Sequence, residues 1–398
     1  MHREYPIVVL SHLRWSFVYQ RPQHLLSRLA ARHRVLFVEE PEYDEEAPEA
    51  GRWERSDPER HVTVYRPRTR SMAPGFHPEQ LGVLGPLMPE LVADLDGRPP
   101  VAWLYTPLAL PLVEALTPAA VVYDCMDELS LFQGAPPELV AREAELFRRA
   151  DVVFTGGPSL HRAKRDRHPH VHCFPSSVDA DHFGRARPRR PRGVRTTEPA
   201  DQEALPHPRL GYYGVLDERL DYELLAAAAD AHRDWHLVLV GPLAKIDPAV
   251  LPRRPNIHYL GQRTYGELPA YLAGWDVCLL PFALNDATRF ISPTKTLEYM
   301  AAERPIVSTP IPDVAEPYAD IARIANGPEA FVAACEAALA ESEEERNHRV
   351  GLMREVLART SWDRTAAGME QLLDDAVARR GAPDSTERTE VTHATQAS

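Results

Sequence analysis

The chain has 398 residues, of which 44% are hydrophobic and 26% charged, and a formal net charge of −13. This length exceeds one ordinary core and predicts two domains; the composition is globular, and the charge argues against a nucleic-acid partner. No apolar run reaches the roughly 18 residues of a membrane span, and residues 1–6 run directly into a strand-like segment rather than forming a signal peptide. Cys125, Cys173, Cys278 and Cys335 lie in apolar runs without metal-ligand spacing. They read as buried free thiols of a cytoplasmic protein.

In the first half, short β-branched runs predict strands at residues 7–10, 35–38, 62–65, 101–104, 120–123, 152–155 and 171–174. Helical patterns fit at 22–32, 78–94, 137–149 and 158–165, giving α/β architecture with mainly parallel sheets. The loop at 11–15 follows the first strand and should face a cleft. Arg14 is a candidate for phosphate binding there and Trp15 for stacking on a sugar, with core packing the rival for Trp15. Asp124, Asp127 and Glu128 follow the strand at 120–123, where α/β enzymes place chemistry. Asp127 and Asp124 are candidates to orient or deprotonate an acceptor hydroxyl, and capping of the next helix is the alternative for each.

The turn Gly156-Gly157-Pro158-Ser159 permits close backbone approach. His168, His170 and His172 alternate along a strand, without a carboxylate or thiol at ligand spacing, and read as surface histidines. Residues 184–208 lack periodicity and carry Arg185, Arg187, Arg189, Arg190, Arg192 and Arg195 among prolines. They read as a linker and solvated loop, with peripheral contact to an anionic membrane surface as the alternative.

The pattern restarts with strands at 210–213, 236–240, 257–260, 277–280, 306–308 and 321–324, joined by helices at 222–231, 267–273, 293–302 and 328–340. Amphipathic helices at 343–359 and 363–379 follow, and the polar stretch 381–398 is expected to be disordered. The expected division is therefore a first domain over 1–183, the linker, a second domain over 209–360, a closing helix over 361–380, and the tail. Two doubly wound domains facing each other place a ligand cleft at the carboxyl ends of their strands.

The segment 292–308 is the most informative. Ser292 suits a helix N-cap and Pro293 the first helical position, which puts Lys295 third. A cation there opposes the helix dipole at a cost of about 0.3–1 kcal/mol, unless an anion lies between it and the free N–H groups. Glu298 lies one turn along the face of Thr294 and Lys295. A phosphate cradle with a carboxylate beside it suits a sugar nucleotide, because the carboxylate accepts from ribose hydroxyls.

The order of motifs in the second half resembles the nucleotide-binding domain of the GT-B glycosyltransferases of the family 4 (group 1) type. It runs through Leu210-Gly211-Tyr212-Tyr213-Gly214, His236 to Pro242, Asn256 to Gly261, Glu267-Leu268-Pro269 and Asp276 to Pro281. The stretch Glu298 to Ile306 then matches the family's Glu-Ala-Met-Ala-x-Gly-x-Pro-Val signature. Ser176-Ser177-Val178-Asp179 is similar to the family's Asn-Gly-Val-Asp. Phe17 to Leu26 resembles the bacterial teichuronic-acid and exopolysaccharide subset, and Trp362-Asp363 resembles the start of the family's crossing helix.

The resemblance implies sugar transfer from a nucleoside diphosphate sugar to a glycan or lipid-linked acceptor, with retention, without an obligatory metal or other cofactor. The setting it implies is the cytoplasm or the inner face of the membrane. It assigns Ser292, Thr294, Lys295, Glu298, Gly214, Gly241 and Gln262 to the donor, and Arg219 and Lys295 to the leaving diphosphate. Three departures stand out. The first of two family glutamates with seven residues between them falls on Phe290, and the family's His before Asp127 falls on Met126. Asn285 and Asp286 are the nearby substitutes for that glutamate. Third, of the Arg and Lys that the family sets after its first C-domain strand, only Arg219 is well placed, with a surface ion pair amid Asp217, Glu218 and Asp221 as its alternative. A sugar-nucleotide epimerase and a non-catalytic nucleotide-binding protein of the same fold are the rival readings. A serine acyl-enzyme is set aside, because Ser292-x-x-Lys295 lacks the companion Ser-Asp-Asn and Lys-Thr-Gly strings.

Overall fold

The computed structural model describes residues 5–188 and 198–381. In the first half the strands are β1 (Ile7–Leu10), β2 (Val35–Val38), β3 (Glu42–Tyr43), β4 (Arg52–Glu59), β5 (Val62–Thr69), β6 (Val101–Leu104), β7 (Ala120–Cys125), β8 (Val152–Thr155) and β9 (Val171–Cys173). They form one sheet in the order β3-β5-β2-β1-β6-β7-β8-β9, with β4 added antiparallel to β5 and every other pairing parallel. The second half contributes β10 (Arg209–Tyr213), β11 (His236–Val240), β12 (Ile257–Gly261), β13 (Val277–Leu280), β14 (Ile306–Ser308) and β15 (Ala322–Ile324). Its order is β12-β11-β10-β13-β14-β15, parallel throughout. Both sheets are doubly wound, and the central strands are buried on both faces, which is why they read as continuous apolar runs.

The edge of the first sheet escapes that reading. In β4 most side chains are solvated, and its Glu54 pairs with Arg66 and Arg68 of β5. Such an edge strand is held by cross-strand charges rather than by an apolar face. The expected boundary at 184 also shifts. Val178, Phe183 and Ala186 pack in the core of the second domain, so the chain crosses over before residue 178. The predicted linker is partly structured as well: Gln202 is fully buried and accepts from the Trp275 indole at 2.8 Å. Arg189, Arg190, Arg192 and Arg195 lie outside the described residues, whereas Arg187 reaches the Ala301 carbonyl at 2.8 Å.

The helix Trp362–Arg380 returns to the first domain. Trp362, Ala366, Met369, Leu373 and Ala376 are buried in one cluster with Leu25, Trp103 and Phe154. Among the described residues no helix is long and apolar enough to cross a membrane.

Candidate active site

The carboxyl ends of the two sheets enclose a cleft of about 940 Å³. On the second domain the helix Thr294–Ala301 points its first turn at this space. The helix starts later than expected. Pro293 occupies the N-cap with φ −70° and ψ 121°, so Ser292 stands outside it and Lys295 is its second residue rather than its third. No side chain caps this end, which leaves its first N–H groups free of an internal acceptor. Ser292, Thr294, Lys295 and Glu298 all border the cleft.

Lys295 makes no ion pair among the described residues; its Nζ lies 5.5 Å from the Tyr212 ring centre. Burial pushes its pKa down to about 8, Glu298 opposing and Arg219 reinforcing the shift. The exits of β10 and β11 close around it. A Cβ on Gly214 (φ +138°) would stand 2.7 Å from Nζ, and one on Gly241 (φ +153°) 1.8 Å from the Gly214 carbonyl oxygen. Only glycine fits both positions. Glu298 is 8% exposed and accepts from the Tyr213 hydroxyl at 2.7 Å; burial raises its pKa against the pull of Tyr213 and Lys295.

Other expectations divide. Gln262 borders the cleft and donates to the Phe17 carbonyl across it. Arg219 also borders the cleft, but Asp217 holds its guanidinium with contacts of 2.6 to 3.1 Å. Asp127 lines the cleft from the first domain, and its carboxylate has no hydrogen-bond or ion-pair partner among the described residues. Burial raises its pKa, with Arg219 and Arg21 opposing.

Asp124 is not a cleft residue. It is fully buried and bound by the Arg21 guanidinium at 2.9 and 3.1 Å, so it serves the first domain's interior. Arg14 likewise turns away, donating to Glu39 at 3.3 Å and to the Glu40 carbonyl at 2.9 Å. Trp15 touches the cleft, but its ring packs edge-on against Phe37 at 5.1 Å within the core. The rival core reading holds for that ring. Phe290 packs on the first domain's core, and Asn285 caps its own turn and donates to the Glu218 carbonyl; neither it nor Asp286 borders the cleft. Met126 does border it. Sequence reasoning missed Tyr19, Tyr213 and Tyr265, which also line the space. Among the described residues no three His, Cys, Asp or Glu side chains are placed to hold a metal ion.

Two parallel-sheet domains facing a cleft, with a final helix crossing back, form the GT-B architecture. The fold is similar to sucrose-phosphate synthase from Thermosynechococcus elongatus, with a TM-score of 0.68 and 18% identity over 94% of this chain and 100% of that one. It is also similar to Anabaena Alr3699/HepE in complex with UDP and glucose, with a TM-score of 0.65 and 14% identity over 93% of this chain and all of that one. Residues 207–341 match the family described as Glycosyl transferases group 1, so the second domain is a group 1 glycosyltransferase domain. The chain is 27% identical over 301 residues, 70% of its length and 72% of the relative's, to a Bacillus subtilis (strain 168) protein, TuaH, named as a teichuronic acid biosynthesis glycosyltransferase.

Proposed function

We propose that this glycosyltransferase takes its sugar from a nucleoside diphosphate donor and passes it to a hydroxyl of a glycan or lipid-linked acceptor, in cell-surface polysaccharide synthesis at the cytoplasmic face of the membrane. One observation carries the donor reading: an ammonium without an ion pair among the described residues, half-buried beside an uncapped helix start and two glycine turns. A diphosphate there satisfies the N–H groups and the lysine together. The HepE complex with UDP and glucose, and an E. coli trehalose-6-phosphate enzyme bound with UDP-2-fluoro glucose, support the same chemistry.

In this reading Glu298 accepts from the ribose. Lys295 and the helix N–H groups stabilise charge building on the leaving diphosphate. Arg219 joins them if it exchanges Asp217 for phosphate. Asp127 orients the acceptor hydroxyl from the opposite wall. Retention of configuration and independence from metal ions follow from the family resemblance. The TuaH name supports a polysaccharide acceptor.

The test is a panel of nucleoside diphosphate sugars read by thermal stabilisation, with Lys295→Ala and Glu298→Ala alongside. At least one donor should stabilise the wild type, and both variants should lose most of the shift. Undiminished stabilisation in both variants removes the site assignment. Incubating the stabilising donor without acceptor separates transfer from epimerisation.

A further inference from the structure

Tyr265 lies in the turn between β12 and the helix Leu268–Ala273 and borders the cleft. Its ring is clamped from several sides. It stacks on His182 with centres 4.1 Å apart and 7° between planes, tilts against Tyr19 at 4.7 Å, and meets His24 and Phe183 edge-on at 5.2 and 5.5 Å. His24 in turn stacks on Trp362 of the crossing helix at 4.7 Å. Tyr19 and His24 belong to the first domain, so elements of both halves fix this ring.

The hydroxyl at its end is buried and has no hydrogen-bond partner among the described residues. A buried polar group left in that state costs about 1–3 kcal/mol, and native structures contain few of them. Glu298 lines the same cleft as Tyr265, and it and Asp179 are the carboxylates whose charge bears on the phenol. Both raise the phenol's pKa in addition to burial, so it remains a protonated donor. A ligand hydroxyl can accept from a phenol and donate to a carboxylate at once.

Building on the donor site proposed above, we infer that the Tyr265 hydroxyl is a donor-binding group. It donates to the ribose hydroxyl that Glu298 accepts from, and so completes the nucleoside half of the site. Because the ring is braced by Tyr19 and His24, this contact also ties nucleoside binding to the seating of the first domain.

The experiment compares wild type, Tyr265→Phe and Lys295→Ala. Tyr265→Phe keeps every ring contact and removes only the unsatisfied oxygen, so its unliganded melting temperature should equal or exceed that of wild type. UDP, GDP and ADP are screened, and the strongest binder is titrated calorimetrically with its 2′-deoxy and 3′-deoxy forms. Tyr265→Phe should bind the ribonucleotide about 3- to 10-fold more weakly, the range of one neutral hydrogen bond. One of the two deoxy forms should weaken wild type by a similar factor and add little further loss in Tyr265→Phe. Equal affinity of wild type and Tyr265→Phe overturns the inference and leaves the hydroxyl to a buried water; so do fully additive losses. If Tyr265→Phe binds normally while Lys295→Ala does not, only this inference fails. A wild type that none of the three nucleotides stabilises overturns the donor reading, and this inference with it.

Discussion

The Asp313 carboxylate of the second domain accepts the Ser159 N–H of the first at 2.9 Å, capping the helix Pro158–Lys164 from across the domain boundary. Gly157 makes the approach possible. A Cβ on it would stand 2.1 Å from Asp313 Oδ2 and 2.7 Å from the Ser292 Cβ. The contact therefore registers the first domain directly against the residue that leads into the Lys295 helix.

Gly157→Ala should push this register apart and press on Ser292 at the entrance to the Lys295 helix. Transfer should fall by on the order of 10- to 100-fold, the usual cost of about 1 Å of misplacement, and nucleotide affinity should fall by a smaller factor. Steady-state kinetics beside small-angle scattering would show it; normal turnover with an unchanged radius of gyration would refute the claim.

The depressed Lys295 pKa gives a pH signature with two opposite signs. Free lysine titrates near pH 10.4, so between about 8 and that value the unfolded chain holds a proton that the folded chain has released. Over that window the contribution of this group to stability rises with pH. Diphosphate binding needs the ammonium and should weaken as pH climbs through about 8. Arginine stays charged across the range, so Lys295→Arg should show no such decline. Calorimetric titrations at pH 7 to 10 measure both, and parallel declines would remove Lys295 as the cause.

The two aspartates after β7 should separate cleanly. Asp124→Asn breaks a buried bidentate pair with Arg21 and should cost about 3–5 kcal/mol of stability. Asp127→Asn removes a carboxylate without a partner among the described residues, and should lower turnover while leaving the melting temperature close to wild type. Urea unfolding and activity of both variants, run together, decide it; a normal turnover in Asp127→Asn removes its acceptor role.

The elements legible in the sequence were those whose chemistry is local. Strands such as β1 and β13 are buried on both faces and announce themselves as apolar runs. Lys295 and Glu298 share one helix, so their spacing alone placed them together. The buried pairing of Asp124 is not legible locally, because its partner, Arg21, lies 103 residues away. The direction of Arg14 is hidden for the same reason, its acceptors coming from the segment after β2. Tyr265 gave no signal at all, since a lone tyrosine in a polar turn acquires meaning only from the rings that two domains bring to it.

The crossing helix has a consequence for the order in which the protein matures on the ribosome. The first domain is synthesised first, and such domains ordinarily fold as they emerge. Here the sheet face around Leu25, Trp103 and Phe154 is completed by Trp362, Met369 and Leu373, among the last described residues to be translated. That face stays uncovered until the rest of the chain has been made. A truncated first domain would carry a greasy, unfinished surface, so the two halves depend on one another before any substrate arrives.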